Sequence, residues 1–267
     1  MTIVLVHPHP DDEAILTGGL ILQAHARGRR VVLATATRGE EGGGPREPRL
    51  DSSASVASIR TRELELAGEL LGVDRQVFLG FRDSGLNPAA SALAADAFSA
   101  VPLAEAAAPL IELLREERPE LVVTATPDGT YGHPDHVRAH DATMAAVDQL
   151  RSEGWSPATV AMVAFPHGVA ALLVHGLLAF GLRPSGWLLA ESSAAGVPGT
   201  TVRYTVLGDR MEQKRAAMLA HQSQLRGGIG IIVRIPPLCR LVFGVERYQV
   251  AGTPAEAIES RNLFAQV

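Results

Sequence analysis

Ile3-Val4-Leu5-Val6-His7-Pro8-His9-Pro10-Asp11-Asp12-Glu13 decides how this chain is read. Four apolar residues run directly into two imidazoles and three carboxylates. Pro8 and Pro10 each remove an amide donor and fix φ, so neither a regular helix nor a central strand continues through them. A strand therefore ends abruptly, and its end carries a cluster of metal-ligand side chains. Functional groups gather at the carboxyl ends of strands in open α/β sheets. The stretch reads as the first half of a metal site.

The 267 residues suit one large α/β domain or one domain with an insertion, and a hydrophobic fraction of 46% is ordinary for a globular protein. A net charge of −5 without any Lys/Arg block argues against a nucleic-acid partner. The lone cysteine, Cys239, excludes an intrachain disulfide and a cysteine zinc motif, and is expected to be a small buried apolar residue. The N-terminus enters a strand-like run without a basic leader, so a cytoplasmic enzyme is expected.

Strand and helix patterns alternate through the first half. After Ile3–Val6 the pattern predicts a helix over Glu13–Arg27, a strand over Val31–Ala36 and a long functional loop over Arg38–Ser53. A helix near Val56–Leu71, a strand at Gln76–Phe81, a helix over Leu103–Arg118, a buried strand at Leu121–Ala125 and a helix from His136 to Leu150 follow. The expected fold is a Rossmann-like α/β domain, a mostly parallel sheet flanked by helices, with a less regular C-terminal portion. One domain over 1–267 is expected, with a variable apolar insertion at about 160–199. No formal charge occurs from Val160 to Leu182, but Pro166, His167, Gly168, His175 and Gly176 interrupt that stretch. A buried helix pair, a lid or a contact in a homo-oligomer is expected there rather than a membrane span. Beyond it, Thr201–Val206 reads as a strand, Asp209–Leu219 as a helix, Gly227–Gly230 as a loop and Ile231–Val250 as strand-like.

A second cluster, Tyr131-Gly132-His133-Pro134-Asp135-His136, repeats the logic of the first after the strand Leu121–Ala125. Both loops should meet at one edge of a parallel sheet. Two His and one carboxylate can hold a hydrolytic zinc while leaving a position for water, whose pKa such a site lowers towards roughly 7. A nearby carboxylate can then take a proton, and an imidazole can serve the leaving amine. His7 and His9 share one face of an extended strand, so spacing leaves open which of them is the ligand.

His9-Pro10-Asp11-Asp12-Glu13 and His133-Pro134-Asp135-His136 together resemble the LmbE-like or PIG-L family of metal-dependent N-acetylglucosaminyl deacetylases, including those of the mycothiol pathway. Thr37-Arg38-Gly39-Glu40, Arg60-Thr61-Arg62-Glu63, Arg82-Asp83-Ser84-Gly85, Lys214 and His221-Gln222-Ser223-Gln224 extend the resemblance. It implies that His9, Asp12 and His136 hold zinc, ferrous iron being an alternative for the same donors. It further implies Asp11 as general base, His133 as general acid or oxyanion stabiliser with Asp135 orienting its ring, and Tyr131 as a support for the oxyanion. Arg60 and Asp83 match positions that contact the sugar in relatives. Glu13 is expected to cap the helix, and His221 to pack beneath the site.

The implied activity is zinc-dependent removal of an N-acetyl group from an N-acetylglucosamine-type sugar or glycoconjugate. Three other readings compete. A sugar–thiol conjugate amidase would use the same water attack on another amide. His9-x-Asp11 with a distant His136 also fits a non-haem iron oxygenase, although such enzymes favour all-β scaffolds. A degenerate carbohydrate-binding protein is the fourth, but every metal and base position is filled.

Overall fold

In the computed structural model, residues 1–42, 53–85, 94–164, 201–206, 208–225 and 227–250 are described. β1 (Thr2–His7), β2 (Arg30–Thr35), β3 (Arg75–Phe78), β4 (Leu121–Ala125), β5 (Thr159–Val163), β6 (Thr201–Thr205) and β7 (Val245–Val250) form one seven-stranded sheet in the order β3-β2-β1-β4-β5-β7-β6. Strands β1 to β5 pair in parallel, and β7 runs antiparallel to both β5 and β6. The strand order reverses at β1, which lies between β2 and β4. Ligands bind at such switch points, outside the carboxyl ends of the strands.

β1 is buried on both faces, so its apolar run is continuous rather than alternating. Ile3 and Leu5 pack into one layer with Leu20, Ile21, Leu64, Met218 and Phe243. Val4 and Val6 pack into the other with Leu110, Leu114, Ala142 and Val147. The first layer carries α1 (Asp12–Leu16), α2 (Gly18–Ala26), α3 (Ser53–Leu71), α7 (Asp209–Ala220), α8 (Gly227–Arg234) and α9 (Pro236–Phe243). The second carries α4 (Leu103–Glu117) and α6 (Pro134–Ser152), while the single turn α5 (Gly129–Gly132) precedes α6 at the sheet edge.

Three expectations need correction. The helix predicted over Glu13–Arg27 is broken at Thr17, whose φ of −132° is not helical. Its hydroxyl donates to the Glu13 carbonyl and meets the His7 ring, which ties the break to β1. Gly227–Gly230, expected as a loop, opens α8, and most of the strand expected over Ile231–Val250 is helical, with only Val245–Val250 in the sheet. A continuous apolar run does not separate a buried strand from a buried helix, and Pro236-Pro237 sit at a helix start, where their missing amides cost nothing. Val160–Val163 of the uncharged stretch lie in β5, an interior strand. The remainder of that stretch, with the expected helix pair or lid, lies outside the described residues, as does most of the Arg38–Ser53 loop.

The C-terminal portion is fastened to the N-terminal one by a buried polar cluster. Glu246 at the start of β7 accepts from Gly19 N (2.6 Å) and Leu20 N (2.9 Å), supplying acceptors to the first turn of α2. The same carboxylate accepts from Lys214 Nζ (2.6 Å) and the Tyr248 hydroxyl (2.7 Å). A Cβ on Gly19 would collide with Val206 and crowd Glu246, so glycine is required there.

Candidate active site

The loop after β1 is organised by its own carboxylates. Asp12 Oδ2 accepts from His9 N (3.0 Å), and Glu13 Oε2 accepts from Asp11 N (2.9 Å). Between them Asp11 adopts φ 123° and ψ −28°. A non-glycine residue held there costs on the order of 1–3 kcal/mol, and such conformations persist only where the surroundings enforce them. Asp11 makes no side-chain cap to α1, so its carboxylate does not serve the helix end, and its side chain keeps 21% of its exposure. The carboxylates of Asp12 and Glu13 beside it are buried.

β4 and β1 are neighbours, which brings the second cluster to the same edge. Pro134 opens α6, and His133 caps it, its Nδ1 accepting from Asp135 N (3.1 Å). Donor atoms of His9, Asp12 and His136 all lie within 4.8 Å of one another, and all three residues are buried. His136 Nε2 stands 3.4 Å from Asp12 Oδ1, and His9 Nδ1 stands 3.7 Å from Asp12 Oδ2. Ligands about 2.0–2.1 Å from a tetrahedral zinc stand roughly 3.3–3.5 Å apart. The donor types and spacing therefore fit zinc or a similar divalent ion.

A second group, His9, His133 and Asp135, is equally close. The Asp135 carboxylate, however, accepts from both Ser84 N (3.0 Å) and Ser84 Oγ, and faces His9 Nε2 at 3.2 Å. Asp83 Oδ1 lies 3.4 Å from the same His9 nitrogen. These carboxylates favour a proton on Nε2 and leave Nδ1 to face Asp12, the arrangement by which an outer carboxylate orients a ligating imidazole. Sequence reasoning put Asp135 behind His133. The structure places its carboxylate on His9, and gives His133 the Asp135 backbone amide instead.

The electrostatics follow from burial and opposed charges. Burial alone would lower His9, but Asp83, Asp12 and Asp135 hold it well above its ordinary value. Burial would raise Asp12, yet His136 and His9 hold it well below the usual carboxylate range. Burial, then the His9 and His136 charges, pull His133 down to about 3. Burial pushes the Asp11 carboxyl up to about 6 against the opposing pull of Arg60. His7 is lowered by burial.

Arg60 and Asp83, the expected sugar contacts, are both buried. Arg60 donates to Gly39 O (2.9 Å) and Pro10 O, with Nη2 3.4 Å from Asp11 Oδ2. A Cβ on Gly39 would overlap that guanidinium, and Gly39 also has φ +65°, so only glycine suits the position. Asp83 accepts from Gly85 N (2.9 Å) and Glu41 N (3.2 Å). Both residues thus brace the site's own loops. His7 is separate from the donor cluster and pairs with Thr17 Oγ1 at 2.9 Å. His221 lies beneath the site as expected, its Nε2 2.6 Å from Glu13 Oε1. Tyr131 belongs to α5, and its side chain lies outside the described residues. Sequence reasoning missed Ser84, although its place beside Asp83 in Arg82-Asp83-Ser84-Gly85 was the available signal.

The family described as PIG-L, GlcNAc-PI de-N-acetylase, matches residues 4–147. A 1D-myo-inositol 2-acetamido-2-deoxy-alpha-D-glucopyranoside deacetylase of Rhodococcus jostii is 38% identical over 84% of this chain and 81% of its own. A protein of the same name from Acidothermus cellulolyticus is 34% identical over 100% of this chain and 95% of its own. Among solved structures, the N,N'-diacetylchitobiose deacetylase of Pyrococcus horikoshii is similar with a TM-score of 0.63 at 22% identity, covering 100% of this chain and 88% of that one. The 4-carboxy-2-hydroxymuconate hydratase of Pseudomonas putida is similar too, with a TM-score of 0.60 at 18% identity over 94% of this chain and 96% of that one. The shared fold thus supports more than one reaction, and the site has to decide between them. Its two motifs fall within the matched residues, and the chain belongs to the PIG-L family of de-N-acetylases, enzymes that hydrolyse amide bonds.

Proposed function

We propose that this protein is a metal-dependent deacetylase of an N-acetylglucosaminyl conjugate, with 1D-myo-inositol 2-acetamido-2-deoxy-alpha-D-glucopyranoside as the first substrate to test. The observation that carries the reading is the convergence of buried His9, Asp12 and His136 beside a strained, partly exposed Asp11. The choice of substrate rests on relatives of that name at 34–39% identity over most of the chain.

His9, Asp12 and His136 would hold the ion. When bound, zinc or ferrous iron would supply Lewis acidity and lower the pKa of water at the site. Asp11 takes the proton from the attacking water, since its carboxylate is neither a helix cap nor fully buried. His133 accepts the Asp135 amide at Nδ1, which assigns its proton to Nε2. That N–H suits it to stabilising the developing oxyanion. Asp135 and Asp83 hold the His9 ring in the ligating tautomer.

The test is acetate release from the inositol conjugate and from free N-acetylglucosamine, with release of the free amino sugar followed for a sugar–thiol amide conjugate. Release from the N-acetyl substrates and a loss of about 10²–10⁴-fold in kcat for Asp11→Asn are expected. Cleavage of the thiol conjugate alone would transfer the activity to an amidase, and full activity in Asp11→Asn would refute the base assignment.

A further inference from the structure

The base sits next to a single peptide unit gripped at both ends. The Pro10 carbonyl accepts from Arg60 Nη2, and the Asp11 amide of the same peptide donates to Glu13 Oε2. Fixing that plane fixes φ of Asp11 in a region where few non-glycine residues rest. Glu13 is itself anchored. Its other oxygen, Oε1, lies 2.6 Å from His221 Nε2, and both side chains are fully enclosed. His221 ends α7, from a part of the chain 208 positions away. Among the described residues its buried Nδ1 has no hydrogen-bond partner, and Glu13 is the partner of its Nε2. A carboxylate oxygen accepts, so the ring donates to Glu13 from Nε2.

We infer that Glu13 and His221 are positioning residues for the base: the pair holds the Pro10–Asp11 peptide in the orientation that aims the Asp11 carboxylate at the attacking water. Glu13 accepts from the amide of Asp11, the N-cap of α1, as a helix-start carboxylate does, and what goes beyond a cap is that its second oxygen is held by His221 from α7. Glu13 does not belong to either candidate metal group among the described residues. The pair therefore acts on geometry rather than on the ion. This inference rests on the deacetylase reading above, and its consequence for the Asp11 amide can be read without turnover.

The experiment compares His221→Phe, which keeps volume and removes the donor, with His221→Gln, whose amide N–H can still reach Glu13. Asp11 amide hydrogen exchange, bound zinc per chain, kcat and KM are measured for each. In His221→Phe the Asp11 amide should exchange about ten-fold faster, while kcat falls about ten-fold or more at unchanged KM and zinc content, because small misplacements of a reacting group cost rate steeply. His221→Gln should return both quantities close to wild type. Should the Phe variant not fold, His221→Asn, too short to reach Glu13, carries the same expectation. Wild-type exchange in the donor-less variant, or a kcat loss matched by zinc loss, overturns the inference. A wild-type chain inert on every N-acetyl sugar would refute the proposed function alone, and the exchange data would still decide the clamp.

Discussion

Asp11, the proposed base, opposes the local rules around it. Its neighbours Asp12 and Glu13 hold backbone amides, as carboxylates at a helix start do, while Asp11 accepts a disfavoured backbone and leaves its carboxylate unengaged by α1. Replacing it with glycine should relieve strain. Asp11→Gly is expected to raise the stability of the metal-free chain by about 1 kcal/mol in urea unfolding while abolishing turnover. A destabilised Asp11→Gly would show that φ 123° is comfortable in this setting. The sequence motif made the identities of His9, Asp11, Asp12 and His136 legible. It could not separate His7 from His9, because the period-two rule holds only while the strand lasts, and β1 ends at His7. The partner of His7, Thr17, is visible only once α1 and α2 are seen to break there.

At the scale of elements, β4 and α6 were legible because each announces itself. Leu121–Ala125 is a short apolar run, and Pro134 marks a helix start. α8 and α9 were not, since residues 227–243 are apolar with little polar interruption and periodicity fails in such runs. Charges on the opposite side of the sheet tie elements together. Glu117, at the end of α4, accepts from Arg30 at the start of β2 (2.8 and 2.9 Å) and from Arg75 at the start of β3 (2.7 Å). The Arg30 hydrogen bond leads in lowering the Glu117 carboxyl from 4.5 to about 2, with Arg75 adding to it against some desolvation. A depressed carboxylate contributes stability above its unfolded pKa and loses it as pH falls through the folded value. Unfolding free energy should thus decline between about pH 4.5 and pH 2, and Glu117→Gln should remove about 1 kcal/mol of that decline, the scale of solvent-facing pairs. An unchanged pH slope in the variant would contradict this.

Over the whole molecule, the C-terminal third completes a fold whose motifs lie in the first 147 residues. Lys214 and Glu246 form a fully buried pair, and Glu246 also serves three neutral donors, Gly19 N, Leu20 N and Tyr248 OH. Glu246→Ala should cost about 3–5 kcal/mol in denaturant unfolding, because it strands a buried ammonium. Lys214→Met should cost less, since the remaining carboxylate keeps those three donors. The reverse order would show that Lys214 is the anchor. The same joining of distant segments assembles the donor cluster: the loop after β1 supplies His9, the start of α1 supplies Asp12, the start of α6 supplies His136, and His221 at the end of α7 reaches Glu13 beneath them. Among the described residues no helix is long and apolar enough to cross a membrane. The central claim is that a metal held by His9, Asp12 and His136 drives N-deacetylation. It is tested most directly by titrating zinc into chelator-treated protein while following acetate release from the N-acetylglucosaminyl inositol conjugate. The account predicts that activity rises from baseline to a plateau at about one zinc per chain, and that His136→Ala stays at baseline under the same titration. Full turnover in the metal-free protein, or in His136→Ala, would contradict it.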